Sequence, residues 1–325
     1  MPRTGRWTPA RGAVAVVAVL LATAEPAAPL GTGRVNQPPP AAPIKVGAYA
    51  PDGTAGETAS VDGRHRRLGH HVQLQLTYYD WTDPFPDFGE HKIIAHHRTP
   101  VMAWYGPTAS AGRKDALADI NAGRYDALIA RQARAIKRFD HRVYLRPLIE
   151  MNGTWYRSYS QRPAEFIRAW RRIWRVFHRA GTENVTWVWC PNLTPRVWEP
   201  YYPGDRYVDV IGVDGYRTRS SGNTGASFAD MFGGFLRHFA GRKPLMLAEI
   251  GADPTGGDTA SFIDGMRRYL ATTGGRQGVV AVCWFDTVDG RHDFRLGQRA
   301  ATWRAWRRLA ADPAFATAHD RRPSR

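Results

Sequence analysis

The chain has 325 residues, of which 43% are hydrophobic and 12% aromatic; this excludes a disordered protein and leaves room for one large domain or two ordinary ones. The formal charge of +16 comes almost wholly from arginine, yet the arginines are scattered. Arg168, Arg171, Arg172 and Arg175 fall on one helical pattern, and Arg304, Arg307 and Arg308 on another, with no helix-turn-helix, zinc-finger or RNA-binding signature; solvated helix faces account for them, and no nucleic-acid partner is expected.

At the N-terminus, Arg3, Arg6 and Arg11 precede an apolar run from Gly12 to Ala22, and Ala22-Thr23-Ala24 offers small residues for cleavage. That is the layout of a secretory signal peptide over residues 1–24, and the run is too short for a spanning helix. Residues 25–43 are rich in Pro, Ala and Gly and read as a flexible linker. A secreted or envelope-associated protein without stable membrane insertion is expected, and a monomer.

From residue 44 onward, short apolar runs alternate with amphipathic stretches. The spacing predicts eight strands: Ile44–Tyr49, Val72–Thr77, Pro100–Trp104, Val143–Ile149, Val185–Cys190, Val208–Val213, Pro244–Ile250 and Val279–Phe285. Helices are predicted over Ala127–Phe139, Pro163–Gly181, Ser227–Ala240, Ser261–Ala271 and Thr302–Ala310, with Pro163 opening the second and Asp258 or Thr259 capping the fourth. Eight β/α units predict a (β/α)8 TIM barrel over residues 44–311, followed by a disordered tail at 312–325. A doubly wound sheet would bind nucleotide through a Gly-rich first turn, whereas "APDGTAG" after the first strand has no G-x-G-x-x-G. Cys190 and Cys283 sit in separate apolar runs and read as two buried thiols.

Barrel chemistry sits at the C-terminal ends of the strands. Glu150 ends the fourth and Glu249 the seventh. Period-two alternation puts Arg146, Leu148 and Glu150 on one face, and Leu245, Leu247 and Glu249 on another. With both faces inward, the two carboxylates share one mouth, as glycoside hydrolysis requires: one protonates the leaving oxygen, the other attacks or activates water. Aromatic residues near these ends suit the apolar faces of sugars: Trp155 and Tyr156, Trp104 and Tyr105, and Trp284. Trp187 and Trp189 lie within a strand and read as core. Asn152 and Asn192 are placed to bond sugar hydroxyls, although Asn152 equally suits holding the turn.

The segment "RPLIEMNGTWYRSYS" resembles the acid/base motif of glycoside hydrolase family 26, and "LMLAEIG" looks like that family's nucleophile strand. The likeness extends over about residues 44–310 through "VTWVWCPN", "YYPGDRYVDVIGVDGY" and "VVAVCWFDT", in the family's order. It implies a retaining endo-β-glycosidase, typically a mannanase, with Glu150 as acid/base and Glu249 as nucleophile. By the same resemblance, Trp155 lies near the scissile sugar, Tyr216 orients the nucleophile and Trp284 forms a stacking floor. Asp214 reads as a structural strand-end acid. One position departs: Ile149 stands where the family usually has histidine, and an apolar residue cannot supply that side chain's hydrogen bonds.

No cofactor and no metal site are expected. His70-His71 and His96-His97 are adjacent pairs that share no face, and His91 with His96 has no convincing ligand spacing. Asp80 and Asp83 follow the second strand and are candidates for the cleft. Two readings stand beside the polysaccharide hydrolase: a carbohydrate-binding barrel with little catalysis, prompted by Ile149, and a hydrolase of the producer's own envelope polymer, prompted by the positive charge.

Overall fold

A computed structural model describes residues 42–50, 61, 72–107 and 116–315. The leader, nearly all of the linker, the His70-His71 pair and the tail past Phe315 lie outside the described residues. Eight parallel strands close into a barrel: β1 Lys45–Tyr49, β2 Leu74–Tyr79, β3 Thr99–Trp104, β4 Val143–Pro147, β5 Val185–Trp189, β6 Val210–Arg217, β7 Leu245–Ala252 and β8 Val279–Phe285. β8 closes on β1, with Lys45 opposite Ala281 and Tyr49 opposite Phe285.

The strands are apolar on both faces because both faces are covered. Leu74, Leu76, Val101, Ala103, Val188, Ala281 and Cys283 fill the barrel, while Met102, Trp104, Ile211, Val213, Val282 and Trp284 face the helices. Helix Pro163–Arg179 shows the outer layer's logic. It buries Phe166, Trp170, Ile173 and Phe177, and leaves Arg168 and Arg175 in solvent, while Arg172 pairs with Asp126 at 2.7 Å. Arg304, Arg307 and Arg308 are likewise exposed on helix Ala300–Ala311. Helices Asp126–Phe139, Phe228–Phe239 and Thr259–Tyr269 occupy the other predicted places, the last capped by Asp258, which accepts from the amides of Ala260 and Ser261.

Two helices were not expected from the sequence, Phe88–Ala95 and Ala116–Asn121. The first buries only Glu90 and Ile93, so it carries no apolar stripe to read. An Asp87/Glu90 capping box starts it, and Glu90 also accepts from Thr77 Oγ1 at 2.8 Å and from the Tyr79 hydroxyl.

The packed domain runs past the expected Ala311 boundary as far as Phe315, which is buried. The Ile44 amide donates to the Ala314 carbonyl at 2.7 Å, so both ends of the domain meet where β1 begins. Cys190 and Cys283 are free, buried thiols. Among the described residues no helix is long and apolar enough to cross a membrane.

Candidate active site

At the end of β4 the alternation expected from the sequence breaks. Leu148 and Glu150 both take left-handed backbone angles, φ 53° and 54°. For non-glycine residues that conformation is costly and persists where the surroundings enforce it. Here the Leu148 amide donates to the Trp104 carbonyl and the Glu150 amide to the Cys190 carbonyl, both at 2.8 Å. As a result Leu148 packs toward the helices, whereas Ile149 and Glu150 both line the cleft. β7 deviates too: Val213 pairs with Leu247 and Asp214 with Glu249, so Ala248 is the extra residue of a bulge. Leu245 and Leu247 face the helices, and the bulge turns Glu249 inward. Both carboxylates reach one mouth, by two backbone irregularities and not by period two.

Arg146 lies fully buried on the barrel side of β4. Its Nη1 donates to Glu249 Oε1 at 2.8 Å, and its Nη2 donates to Asp214 Oδ2 and, at 3.3 Å, to Cys190 Sγ. The Cys190 thiol donates to Asp214 Oδ1 at 3.2 Å, and burial holds that thiol protonated. The second oxygen of Glu249 accepts from the Tyr216 hydroxyl. Burial and the neighbouring Glu249 charge keep that phenol protonated and therefore a donor. Asp214, which the sequence suggested was a structural strand-end acid, is a fully buried acid bonded to Arg146, and burial pushes its carboxyl well above the usual carboxylate range.

Glu150 has no cation against it. Asn192 Nδ2 donates to Oε1 and Trp155 Nε1 to Oε2, each at 2.6 Å. Burial, followed by the charge of Glu249, pushes its carboxyl from 4.5 up to about 7, against the pull of those two donors. The direction follows from burial beside the Glu249 charge, while Arg146 bonds Glu249 and Asp214 and makes no hydrogen bond to Glu150.

The cleft holds about 540 Å³ and is walled by tyrosines and phenylalanines. Tyr49 stacks on Phe285 at 5.1 Å between ring centroids and meets Tyr78 edge-on at 4.8 Å, from which Tyr105 and Tyr156 continue the same wall at 6.0 and 5.5 Å. Trp155 is half exposed beside Glu150. Of the sequence-derived residues, Glu150, Glu249, Trp155, Tyr156, Tyr105, Tyr216 and Asn192 thus meet in one place.

Three others do not. Trp104 is buried outside the barrel, stacked on Trp81 at 4.3 Å with its Nε1 on the Trp81 carbonyl. Trp284 is buried against Trp306 at 5.7 Å, its Nε1 bonded to the Phe294 carbonyl, so it is no stacking floor. Alternation decides both cases: Ala103 and Cys283 point inward, so their neighbours point out, and Tyr105 and Phe285 one position later reach the cleft. Asn152 is also away from the cleft. Its Nδ2 donates to the carbonyls of Asn192 (2.8 Å) and Pro195 (2.9 Å), and its Oδ1 accepts the Asn192 amide (2.8 Å). It holds the turn, and through the turn it aims Asn192 at Glu150.

Asp80 and Asp83 bond one another's loop, Asp80 N to Asp83 Oδ2 at 3.0 Å, and do not line the cleft. Among the described residues no group of three or more His, Cys, Asp or Glu is placed to hold a metal ion. His292, Ser220 and Phe294 line the cleft without having been singled out in the sequence.

A family model described as glycosyl hydrolase family 26 matches residues 80–290. Endoglucanase H of Acetivibrio thermocellus is 28% identical over 284 residues, covering 81% of this chain and 30% of that protein. A mannan endo-1,4-beta-mannosidase of Bacillus subtilis is 29% identical over 167 residues, covering 46% of this chain and 43% of the relative. The chain therefore spans less than half the length of these curated relatives. A solved Cellulomonas fimi endo-beta-1,4-mannanase double mutant superposes with a TM-score of 0.68 at 16% identity, covering 86% of this chain and 73% of that one, a likeness of fold.

Proposed function

This chain belongs to glycosyl hydrolase family 26, and we propose that it is an exported, retaining endo-β-glycosidase that cleaves β-1,4-mannan or a related β-glycan. The observation that carries this reading is the unequal treatment of two glutamates in one aromatic cleft. Glu150 is held as an acid up to about pH 7, and Glu249 is held by an arginine and a phenol that both suit a carboxylate anion.

In the first step the Glu150 proton passes to the glycosidic oxygen while a Glu249 oxygen bonds to the anomeric carbon and the aglycone leaves. Glu150 is then an anion, stabilised by the Asn192 and Trp155 donors. It next takes a proton from water, whose oxygen displaces Glu249 from the sugar. Tyr216 steadies the Glu249 oxygen as its charge falls and returns. The names of relatives support both β-glucan and β-mannan as the polymer: the one that spans most of this chain is called an endoglucanase, and the Bacillus subtilis protein a mannosidase. Ile149 supports widening the search beyond mannan, since it lays an apolar surface beside the acid. Export is supported by the leader-like residues 1–24.

The test is hydrolysis of β-mannans, mixed-linkage glucan and β-1,3-xylan by wild type and Glu249→Gln, with the first-formed anomer followed by NMR. Oligosaccharides released by wild type alone, as the β-anomer, are expected. An α-anomer would refute retention, and release of nothing would refute the glycanase reading in favour of a binding barrel.

A further inference from the structure

A second chain of hydrogen bonds crosses the cleft wall, away from the carboxylate pair. Asp253, immediately after β7, is nearly fully buried. It accepts from the Thr255 amide at 2.6 Å, the Asp293 amide at 3.3 Å and His292 Nδ1 at 2.8 Å. The other ring nitrogen of His292, Nε2, lies 2.8 Å from Ser220 Oγ, which belongs to the segment after β6. Thr218 Oγ1 is 3.0 Å from the same hydroxyl. His292 belongs to a two-stranded hairpin after β8, in which β10 (His292–Asp293) pairs with β9 (Val288–Asp289). Three separate loops thus contribute one residue each to a line that ends in the cleft.

The chemistry of the line assigns its hydrogens. Burial pushes the Asp253 carboxyl up, but the donors around it outweigh this and hold it below its ordinary value, so it is an anion. An anionic acceptor at Nδ1 puts the imidazole hydrogen on that nitrogen, which leaves Nε2 of the neutral ring as an acceptor. Ser220 therefore donates its only hydroxyl hydrogen to His292. What Ser220 offers the cleft is oxygen lone pairs, fixed in direction by a partner that is itself fixed. Beside it, the Phe294 ring contacts those of His292, Tyr216 and Phe285 at 5.9, 5.1 and 6.0 Å. An aromatic edge next to an oriented acceptor matches a pyranose ring, which has an apolar face and a rim of hydroxyl donors.

We infer that Asp253, His292 and Ser220 form a sugar subsite on the β6–β8 wall, in which Ser220 accepts a hydrogen bond from a pyranose hydroxyl. It rests on the glycanase reading for the class of ligand. Ser220, His292, Trp155 and the two carboxylates line one cleft.

Isothermal titration separates the two readings. Glu249→Gln protein is titrated with mannohexaose, cellohexaose and laminarihexaose, alone and combined with Ser220→Ala, Ser220→Thr or His292→Ala. Ser220 is exposed, so its substitution leaves the fold intact. Loss of one neutral hydrogen bond corresponds to an affinity about 3- to 10-fold weaker. That loss is expected for Ser220→Ala and His292→Ala, with Ser220→Thr close to the parent because it keeps the hydroxyl. In the otherwise native enzyme the same variants raise KM and spare kcat.

Unchanged affinity in Ser220→Ala overturns the subsite even if the protein cleaves a polymer. Binding without cleavage, still weakened by Ser220→Ala, supports the subsite and sinks the glycanase. Binding of none of the three hexasaccharides overturns both. The same Ser-His-Asp order serves acyl hydrolysis elsewhere. Hydrolysis of p-nitrophenyl acetate that Ser220→Ala abolishes and Glu249→Gln leaves intact would overturn the subsite in favour of a nucleophilic serine.

Discussion

Glu150 and Glu249 face one cleft from strands β4 and β7, yet they stand in opposite company. Around Glu249 are a buried guanidinium and a phenol; around Glu150 are an amide and an indole N–H, both neutral. The same side chain is thereby given two jobs. The neutral donors bond the Glu150 anion without cancelling its charge, so burial and the Glu249 charge prevail and the proton stays on. Arg146 bonds Glu249 and Asp214 and makes no hydrogen bond to Glu150.

The contrast can be tested most severely at Glu249. On the proposed mechanism Glu249→Gln leaves no carboxylate to attack, and turnover should fall at least about 1000-fold. The loss of its charge also lets the Glu150 carboxyl titrate lower, readable by carboxyl NMR; an unmoved titration would break the link between the two sites. Glu150→Gln should cost about 100- to 10,000-fold on polymers, and much less on an aryl glycoside whose leaving group needs no proton. Wild-type activity should fall as pH rises through about 7, where Glu150 loses its proton. A limb at that pH that persists in Glu150→Gln would assign it to another group.

Tyr216→Phe removes a hydrogen bond to a charged oxygen, and kcat should fall about 10- to 100-fold with KM little changed. Trp155→Phe keeps an aromatic ring but not the N–H. Because that N–H favours the Glu150 anion, its loss should move the alkaline limb upward, a shift seen in the pH–rate profile. The smallest effect is on stability. A carboxyl raised from 4.5 to about 7 takes up its proton more readily folded than unfolded, so its contribution to stability falls as pH rises across that interval. Above pH 7, Glu150→Gln should therefore be more stable than wild type, by about 1 to 3 kcal/mol in urea unfolding.

Much of the barrel was legible because strands covered on both faces are short, apolar and β-branched, and because helix Pro163–Arg179 carries a full apolar stripe. Helix Phe88–Ala95 was not, since it buries only two residues. At the site, Glu150 and Glu249 could be found from strand ends alone, although the alternation used to aim them fails at Leu148 and at the Ala248 bulge. The same alternation, applied to Trp104 and Trp284, would have sent both outward, kept Tyr105 and added Phe285. Ser220, His292 and Asp253 leave no trace in spacing: they come from three loops and meet only once the barrel has closed.

The bond between the Ile44 amide and the Ala314 carbonyl has a practical consequence. Both ends of the packed domain sit side by side at the start of β1, on the face away from Glu150, Glu249 and the cleft. A short peptide joining them would close the polypeptide into a ring, and the ring could be cut anew in a surface turn. Such circular permutants should keep the barrel, and a cut at the exposed Gly241 turn, between helix Phe228–Phe239 and β7, is a suitable first choice. A carrier joined directly before Ile44 or after Phe315 would attach on the face away from the mouth.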